Sequence, residues 1–177
     1  MDRESIAAIR RIVRKDKRYV RFKEAAEHNP NLQIPFEKLH AELERLMGTR
    51  SIRSLSRSDV NFTSSVVDAM LQDQAYRSRC TEILASCISI SGTFNETLNN
   101  LRDYLILEYG HRISTRTTKA ERQQFMESIL RPFYKYLNQV DQLKEHAKYL
   151  IDDIDKAGFT FRNLIEGIKL LGRPETM

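Results

Sequence analysis

One pattern constrains this chain more than any other. Met126, Ile129, Phe133, Tyr136, Val140, Leu143, Ala147, Leu150 and Ile154 follow one another at alternating steps of three and four residues. That spacing lays a continuous apolar stripe along one face of a helix, and four unbroken heptads of it make a seam that must be covered by another helix. A strand would need apolar residues at every second position, and this segment does not supply them.

A second stripe runs ahead of the first. Tyr76, Cys80, Ile83, Cys87, Ile90 and Phe94 keep 4-3-4-3-4 spacing, and Leu98, Leu101 and Leu105 continue it one residue out of register beyond Ser91-Gly92. Such a stutter bends or locally unwinds a coiled-coil seam, and a helix break near Gly92 is the alternative. With only 6 Gly and 4 Pro in 177 residues, the chain lacks the turn material of a sandwich or barrel, which needs turn signals every ten residues or so. The expected fold is all-α: long helices forming an antiparallel hairpin or coiled-coil bundle, with an N-terminal two-helix basic segment in front.

Punctuation sets the boundaries. A first helix is expected from about Arg3 to Glu27, stopped by Asn29-Pro30, because a residue before proline is pushed out of the α region. Pro35 then opens a second helix carrying Phe36, Leu39, Leu43, Leu46 and Met47, with Gly48 as its C-terminal cap. The stretch GTRSIRSLSRS at 48–58 reads as a linker. The organisation that follows is a basic helical arm over 1–47, a linker over 48–58, and a helical oligomerisation domain over 59–177. Within that domain Gly110 ends one long helix, and His111 to Thr117 form a polar loop. Thr118 followed by Glu121 has the spacing of a capping box for the next helix. Pro132 kinks that helix or marks its true start, and Gly158 closes it. A last helix carries Phe161, Leu164, Ile165, Ile168 and Leu171.

The net charge of +5 is unevenly spread. Residues 1–58 hold 14 Lys/Arg against 8 Asp/Glu. Arg10, Arg11, Arg14, Lys15, Lys17, Arg18, Arg21 and Lys23 crowd into one run, with Asp16 as its only acid. Ile6, Ile9, Val13 and Val20 give the same segment an apolar stripe. A basic amphipathic helix suits nucleic acid, an anionic membrane or an acidic partner. A solvated face whose arginines pair with nearby acids is the plainer reading. Tyr19 and Phe22, interleaved among the cations, could stack on bases. Arg50, Arg53 and Arg57 would extend the same surface through the linker. His111, Arg112, Arg116, Lys119 and Arg122 form a second basic group between the two long helices.

Catalytic and metal chemistry are not expected. His28, His40, His111 and His146 are scattered without ligand spacing or a nucleophile motif, and no Gly-rich phosphate loop occurs. Asp152, Asp153 and Asp155 diverge around a helix, so they read as a solvated face or as partners of basic residues rather than as a metal site. Cys80 and Cys87 sit about 10 Å apart on one helix face, too far for a disulfide, and read as small buried apolar groups of a protein in a reducing compartment. No cofactor or metal is expected. With no apolar signal core behind Met1 and no membrane-length apolar run, a soluble cytoplasmic protein is expected.

Two stretches carry a family resemblance. YLIDDIDKAGFTFRNLIEGIKLLG at 149–172 and NLRDYLILEYG at 100–110 resemble the UvsY recombination mediators of large tailed phages, and the order of elements over residues 64–172 is similar. The resemblance implies a ring-shaped homo-oligomer that binds single-stranded DNA and helps load a RecA-like recombinase onto DNA covered by single-strand-binding protein. It also implies DNA repair and recombination as the setting, and the host cytoplasm as the location. The family's Lys-x-Arg pair before the aromatic-Gly stretch falls near Arg102 here, with Tyr104 in place of the second base, and Ala157 stands where the family often has Arg before the glycine. The first 60 residues have no counterpart in the family, and DNA binding is expected either of this basic arm or of Arg112, Arg116, Lys119 and Arg122 between the long helices, with Arg102 at the family's own position. Phe133, Tyr136, Val140, Leu143, Leu150, Ile154, Phe159, Phe161, Leu164 and Ile168 are the expected oligomerisation residues. The alternative fate for that seam is burial within one chain, and the alternative role is that of a structural or assembly protein of a phage particle without nucleic-acid activity.

Overall fold

The computed structural model describes residues 3–54, 62–113 and 118–171. The protein is all-α. Its helices are α1 (Arg3–Arg14), α2 (Lys17–His28), α3 (Phe36–Gly48), α4 (Phe62–Tyr109) and α5 (Lys119–Leu171), with short 3-10 turns at Pro30–Leu32, Ser51–Ser54 and Gly110–Arg112. There is no strand among the described residues. The chain forms two compact units, one from residues 1–35 and 88–141, the other from 36–87 and 142–177. Each unit thus combines an N-terminal segment with part of α4 and part of α5. These units cut across the expected arm, which contributes α1 and α2 to one and α3 to the other.

In the first unit the chain reverses between α4 and α5 and the two helices bury their stripes. Phe94, Leu98, Leu101, Leu105 and Tyr109 of α4 join Met126, Ile129, Leu130, Phe133 and Leu137 of α5 in one core. Ile9 and Val13 of α1 and Tyr19 of α2 belong to the same core. The N-terminal segment is therefore packed structure and not a free arm. The stutter is real but breaks nothing: α4 runs through Gly92, and its buried stripe steps by four from Phe94 to Leu98. Pro132 likewise lies inside α5. A proline there costs roughly 3 kcal/mol of helix propensity, offset by the buried neighbours Ile129, Leu130 and Phe133. Around the proline the core takes Leu137 in place of Tyr136, which stays half-buried and donates its hydroxyl to the Leu32 carbonyl at 2.7 Å.

The expected single helix over 3–27 is two helices, because Asp16 stops the first and starts the second. The last turn of α1 tightens into i→i+3 bonds, Lys15 to Ile12 and Asp16 to Val13, both at 3.0 Å. Asp16 is extended (φ −60°, ψ 136°), and its carboxylate accepts the backbone N–H groups of Arg18 at 2.7 Å and Tyr19 at 3.2 Å, which caps α2. At the other end of the unit the expected capping box forms. Glu121 N–H donates to the Thr118 hydroxyl at 3.2 Å while the Glu121 carboxylate accepts the Thr118 N–H at 2.6 Å.

In the second unit Leu43 and Leu46 of α3, Val66, Ala69, Cys80, Ile83 and Cys87 of α4, and Leu143, Ala147, Leu150 and Ile154 of α5 are buried. Arg50, read as linker surface, is 3% exposed instead. Its guanidinium makes two hydrogen bonds to Asp73, at 2.8 and 2.6 Å, and a third to Asp153. Arg77 holds Asp155 at 2.7 and 3.1 Å, and Arg79 holds Glu42 at 2.8 and 3.2 Å. Asp153 and Asp155 are thus partners of basic residues, the plainer of the two sequence readings. Helix α5 continues through Gly158 to Leu171, so the expected break and separate last helix are absent. No described glycine has positive φ; Gly48 ends α3 without the left-handed turn of a glycine cap.

Candidate nucleic-acid interface

The first unit holds the whole charge excess. Its residues include 16 Lys/Arg and 11 Asp/Glu, a net of +5, against 13 and 13 in the second unit, a net of zero. The two basic groups identified in the sequence, on α1–α2 and around Gly110, fall in this one unit.

Helix α1 sets the central feature. With Ile9 and Val13 turned into the core, the residues beside them on the helix are turned out. Arg10, Arg11, Arg14 and Lys15 line an open groove together with Ile6 and Ala7. All four cations are exposed, and none forms an ion pair among the described residues. Lys17, Arg18 and Arg21 on α2 are exposed in the same way, whereas Lys23 sits 3.6 Å from Glu27. Among the described residues no acid neutralises the α1 cations, because the one acid inside the run is engaged elsewhere. Asp16 caps α2 and also accepts the hydroxyls of Tyr109 at 2.7 Å and Tyr104 at 3.2 Å. Burial is the largest single influence on this carboxyl and pushes it up, but the Tyr109 bond, the two backbone bonds and the Tyr104 bond together hold it below its ordinary value. Tyr109 responds in the opposite direction: burial and its bond to Asp16 push the phenol up to about 12.

Three arginines lie over aromatic rings. The guanidinium of Arg18 is 4.0 Å from the Tyr104 ring centre, that of Arg112 is 5.6 Å from Tyr109, and that of Arg10 is 5.7 Å from Phe125. Arg10 also donates to the Ser128 hydroxyl at 3.2 Å. A guanidinium stacked on a ring keeps its in-plane N–H groups directed outward, which suits phosphate oxygens. Since Tyr109 is bonded to Asp16, Arg112 is brought towards the α1–α2 turn although it lies about a hundred residues away in sequence.

Other expected residues fare differently. Tyr19 and Phe22 are both held against other aromatic rings. Tyr19 is buried and packs edge-on against Phe133 at 5.8 Å, while Phe22 packs on Phe133 at 4.8 Å and on Phe94 at 5.3 Å. Arg102 is half-buried and pairs with Asp103 at 3.0 Å. Lys119 is exposed and Arg122 is half-buried beside Gly110, the distance from its Cδ to a β-carbon built there being 4.0 Å. Arg57 and Arg116 lie outside the described residues.

Most of the expected oligomerisation seam is already used within the chain. Phe133, Val140, Leu143, Leu150 and Ile154 are buried, and Tyr136, Phe161 and Leu164 are half-buried. Phe159, 68% exposed, is the member of the set left open to solvent; the Ile168 side chain lies outside the described residues. The heptad stripe therefore reports intrachain packing, which periodicity alone cannot distinguish from packing between chains.

Sequence reasoning missed two features. It did not pair Arg50 with Asp73 and Asp153, and it left His40 and His146 as unrelated residues. No local signal links residues 103 and 106 positions apart. Among the described residues no group of three or more potential ligands could hold a metal ion, and no helix is long and apolar enough to cross a membrane. No protein-family model, curated protein or solved structure matches the chain.

Proposed function

We propose that the protein is a non-enzymatic nucleic-acid-binding factor that holds single-stranded DNA by its phosphates on the basic face of the first unit. The observation that carries this reading is the α1 groove. Four exposed cations line it, and none of them forms an ion pair among the described residues. The charge excess confined to this unit and the ring-backed Arg18 and Arg112 support the same ligand. With Tyr19 and Phe22 committed to the core, affinity comes from phosphate contacts, and binding tolerates any base sequence. The resemblance to the UvsY mediators adds the role: an accessory that prepares single strands for a RecA-like recombinase in competition with single-strand-binding protein.

A salt series with a labelled single-stranded oligonucleotide tests the reading. Affinity should fall steeply with salt. A variant with Arg10, Arg11, Arg14 and Lys15 all changed to Ala should bind at least tenfold more weakly. It should also flatten the log–log salt slope by about 3, because each phosphate neutralised on a single strand adds about 0.7 to that slope. Absence of binding at low salt refutes it. A structural or assembly role is the second reading, favoured by Leu107 and Phe159 at 83% and 68% exposed, and it predicts a stable oligomer by light scattering with no effect of the quadruple substitution.

A further inference from the structure

We propose that Arg18 and Arg112 form a phosphate subsite beside the α1 groove, and that Asp16 is the residue that positions them. The subsite rests on the proposed binding of single-stranded DNA to this face, and it adds a residue whose charge has the wrong sign for the ligand. An acid inside a basic run ordinarily weakens the attraction for a polyanion. The geometry around Asp16 gives it the opposite effect.

Neutral donors occupy this carboxylate. Its Oδ1 accepts the backbone N–H groups of Arg18 at 2.7 Å and Tyr19 at 3.2 Å, and its Oδ2 accepts the hydroxyls of Tyr109 at 2.7 Å and Tyr104 at 3.2 Å. A carboxylate offers about four lone-pair sites, so these four donors fill it. Neither Arg18 nor Arg112 forms an ion pair among the described residues. The guanidinium groups beside Asp16 thus keep their N–H groups for another anion.

The same bonds tie two distant elements together. Asp16 lies between α1 and α2, while Tyr104 and Tyr109 lie in the last turns of α4, 88 and 93 positions further along. Each tyrosine backs one arginine. The Arg18 guanidinium is 4.0 Å from the Tyr104 ring centre, and that of Arg112 is 5.6 Å from the Tyr109 ring centre. One carboxylate therefore fixes two rings, and each ring fixes the face of one guanidinium. Tyr109 is buried and Asp16 half-buried, whereas both arginines are exposed, so the tether is inside and the charge outside. A planar guanidinium held by its face presents its edge to phosphate oxygens. A side chain already placed has less freedom to lose on binding.

Glu108 supplies a control of equal charge. Its charge also reaches both tyrosines, but it is exposed and takes no part in either hydroxyl bond.

The test is affinity for a labelled single-stranded oligonucleotide across a salt series. Wild type is measured beside Asp16→Ser, the double variant Tyr104→Phe/Tyr109→Phe, and Glu108→Gln. Serine can still cap α2 but lacks the second oxygen that the tyrosines use. Asp16→Ser and Glu108→Gln each remove one negative charge, so charge alone predicts equal or tighter binding for both. The subsite predicts that Asp16→Ser binds roughly fivefold more weakly, with a log–log salt slope flatter by about 1.4, two phosphates at about 0.7 each. Glu108→Gln should bind no more weakly than wild type. The double phenylalanine variant keeps every charge, both rings and the α2 cap, so it holds even if Asp16→Ser folds poorly; it should bind roughly threefold more weakly, its arginines no longer placed in advance. If wild type binds while Asp16→Ser and the double variant bind as tightly, or if Glu108→Gln loses as much as Asp16→Ser, the subsite is overturned and the proposed function stands. A wild type that fails to bind at low salt overturns both.

Discussion

Replacing Arg50 with Ala should be among the most damaging single changes outside the apolar core. Arg50 and Asp73 are 3% and 4% exposed. Without the guanidinium, Asp73 remains a buried carboxylate deprived of both of its hydrogen bonds to Arg50, a situation that costs about 3–5 kcal/mol. For a chain of this length each kcal/mol moves the melting temperature by about 2–4 °C, so a loss of roughly 6–20 °C is expected. The partners should rank unequally. Asp73→Ala leaves Arg50 with Asp153 and removes two charged hydrogen bonds, for about 2–3 kcal/mol. Asp153→Ala should cost nearer 1 kcal/mol, because the Asp153 side chain is 35% exposed and solvent screens the pair. The double change Arg50→Met with Asp73→Leu removes both buried charges together and should recover most of the Arg50→Ala loss. Urea denaturation followed by far-ultraviolet circular dichroism reads all four. The reasoning is refuted if Arg50→Ala costs less than 1 kcal/mol, or if the double variant is no better than Arg50→Ala, since either result means that no buried charge was left uncompensated.

Asp16 makes stability depend on acid. Its pKa is lowered in the folded state, so its contribution is complete above the ordinary value near 3.8 and is lost as pH falls through the lower folded value. Asp16→Asn, whose side chain can still cap α2, should flatten the acid limb of stability measured between pH 5 and pH 2, whereas Asp16→Ala should also lose about 1 kcal/mol at neutral pH from the cap. Gly92→Ala should stabilise the protein by about 0.5–1 kcal/mol in thermal melts, because Gly92 lies within α4 with nothing within 4 Å of the position its β-carbon would take. Phe22→Leu should leave oligonucleotide affinity within twofold while lowering stability; a loss of affinity of the ~1–3 kcal/mol typical of a base-stacking aromatic would put Phe22 in the interface.

Periodicity along the chain was sufficient for the helices themselves. The three-four spacing marks α4 and α5, the Thr118–Glu121 pair marks the start of α5, and Asn29-Pro30 marks the end of α2, because each depends on residues within a turn or two of one another. The cation-rich run was equally legible, and with it the chemistry of the candidate interface. Local punctuation was less decisive. Gly92, Pro132 and Gly158 weaken a helix by amounts that flanking burial outweighs, and Asp16, legible as a cap by residue type, looked like a stray acid among bases. Only the tertiary structure decided what covers each stripe. It buried most of the heptad seam within the chain, packed Tyr19 and Phe22 against Phe133, buried Arg50, and set His40 against His146. Those outcomes depend on which helices meet across a hundred residues, and the energy that selects the meeting comes from packing and charge pairing that no short window of sequence contains.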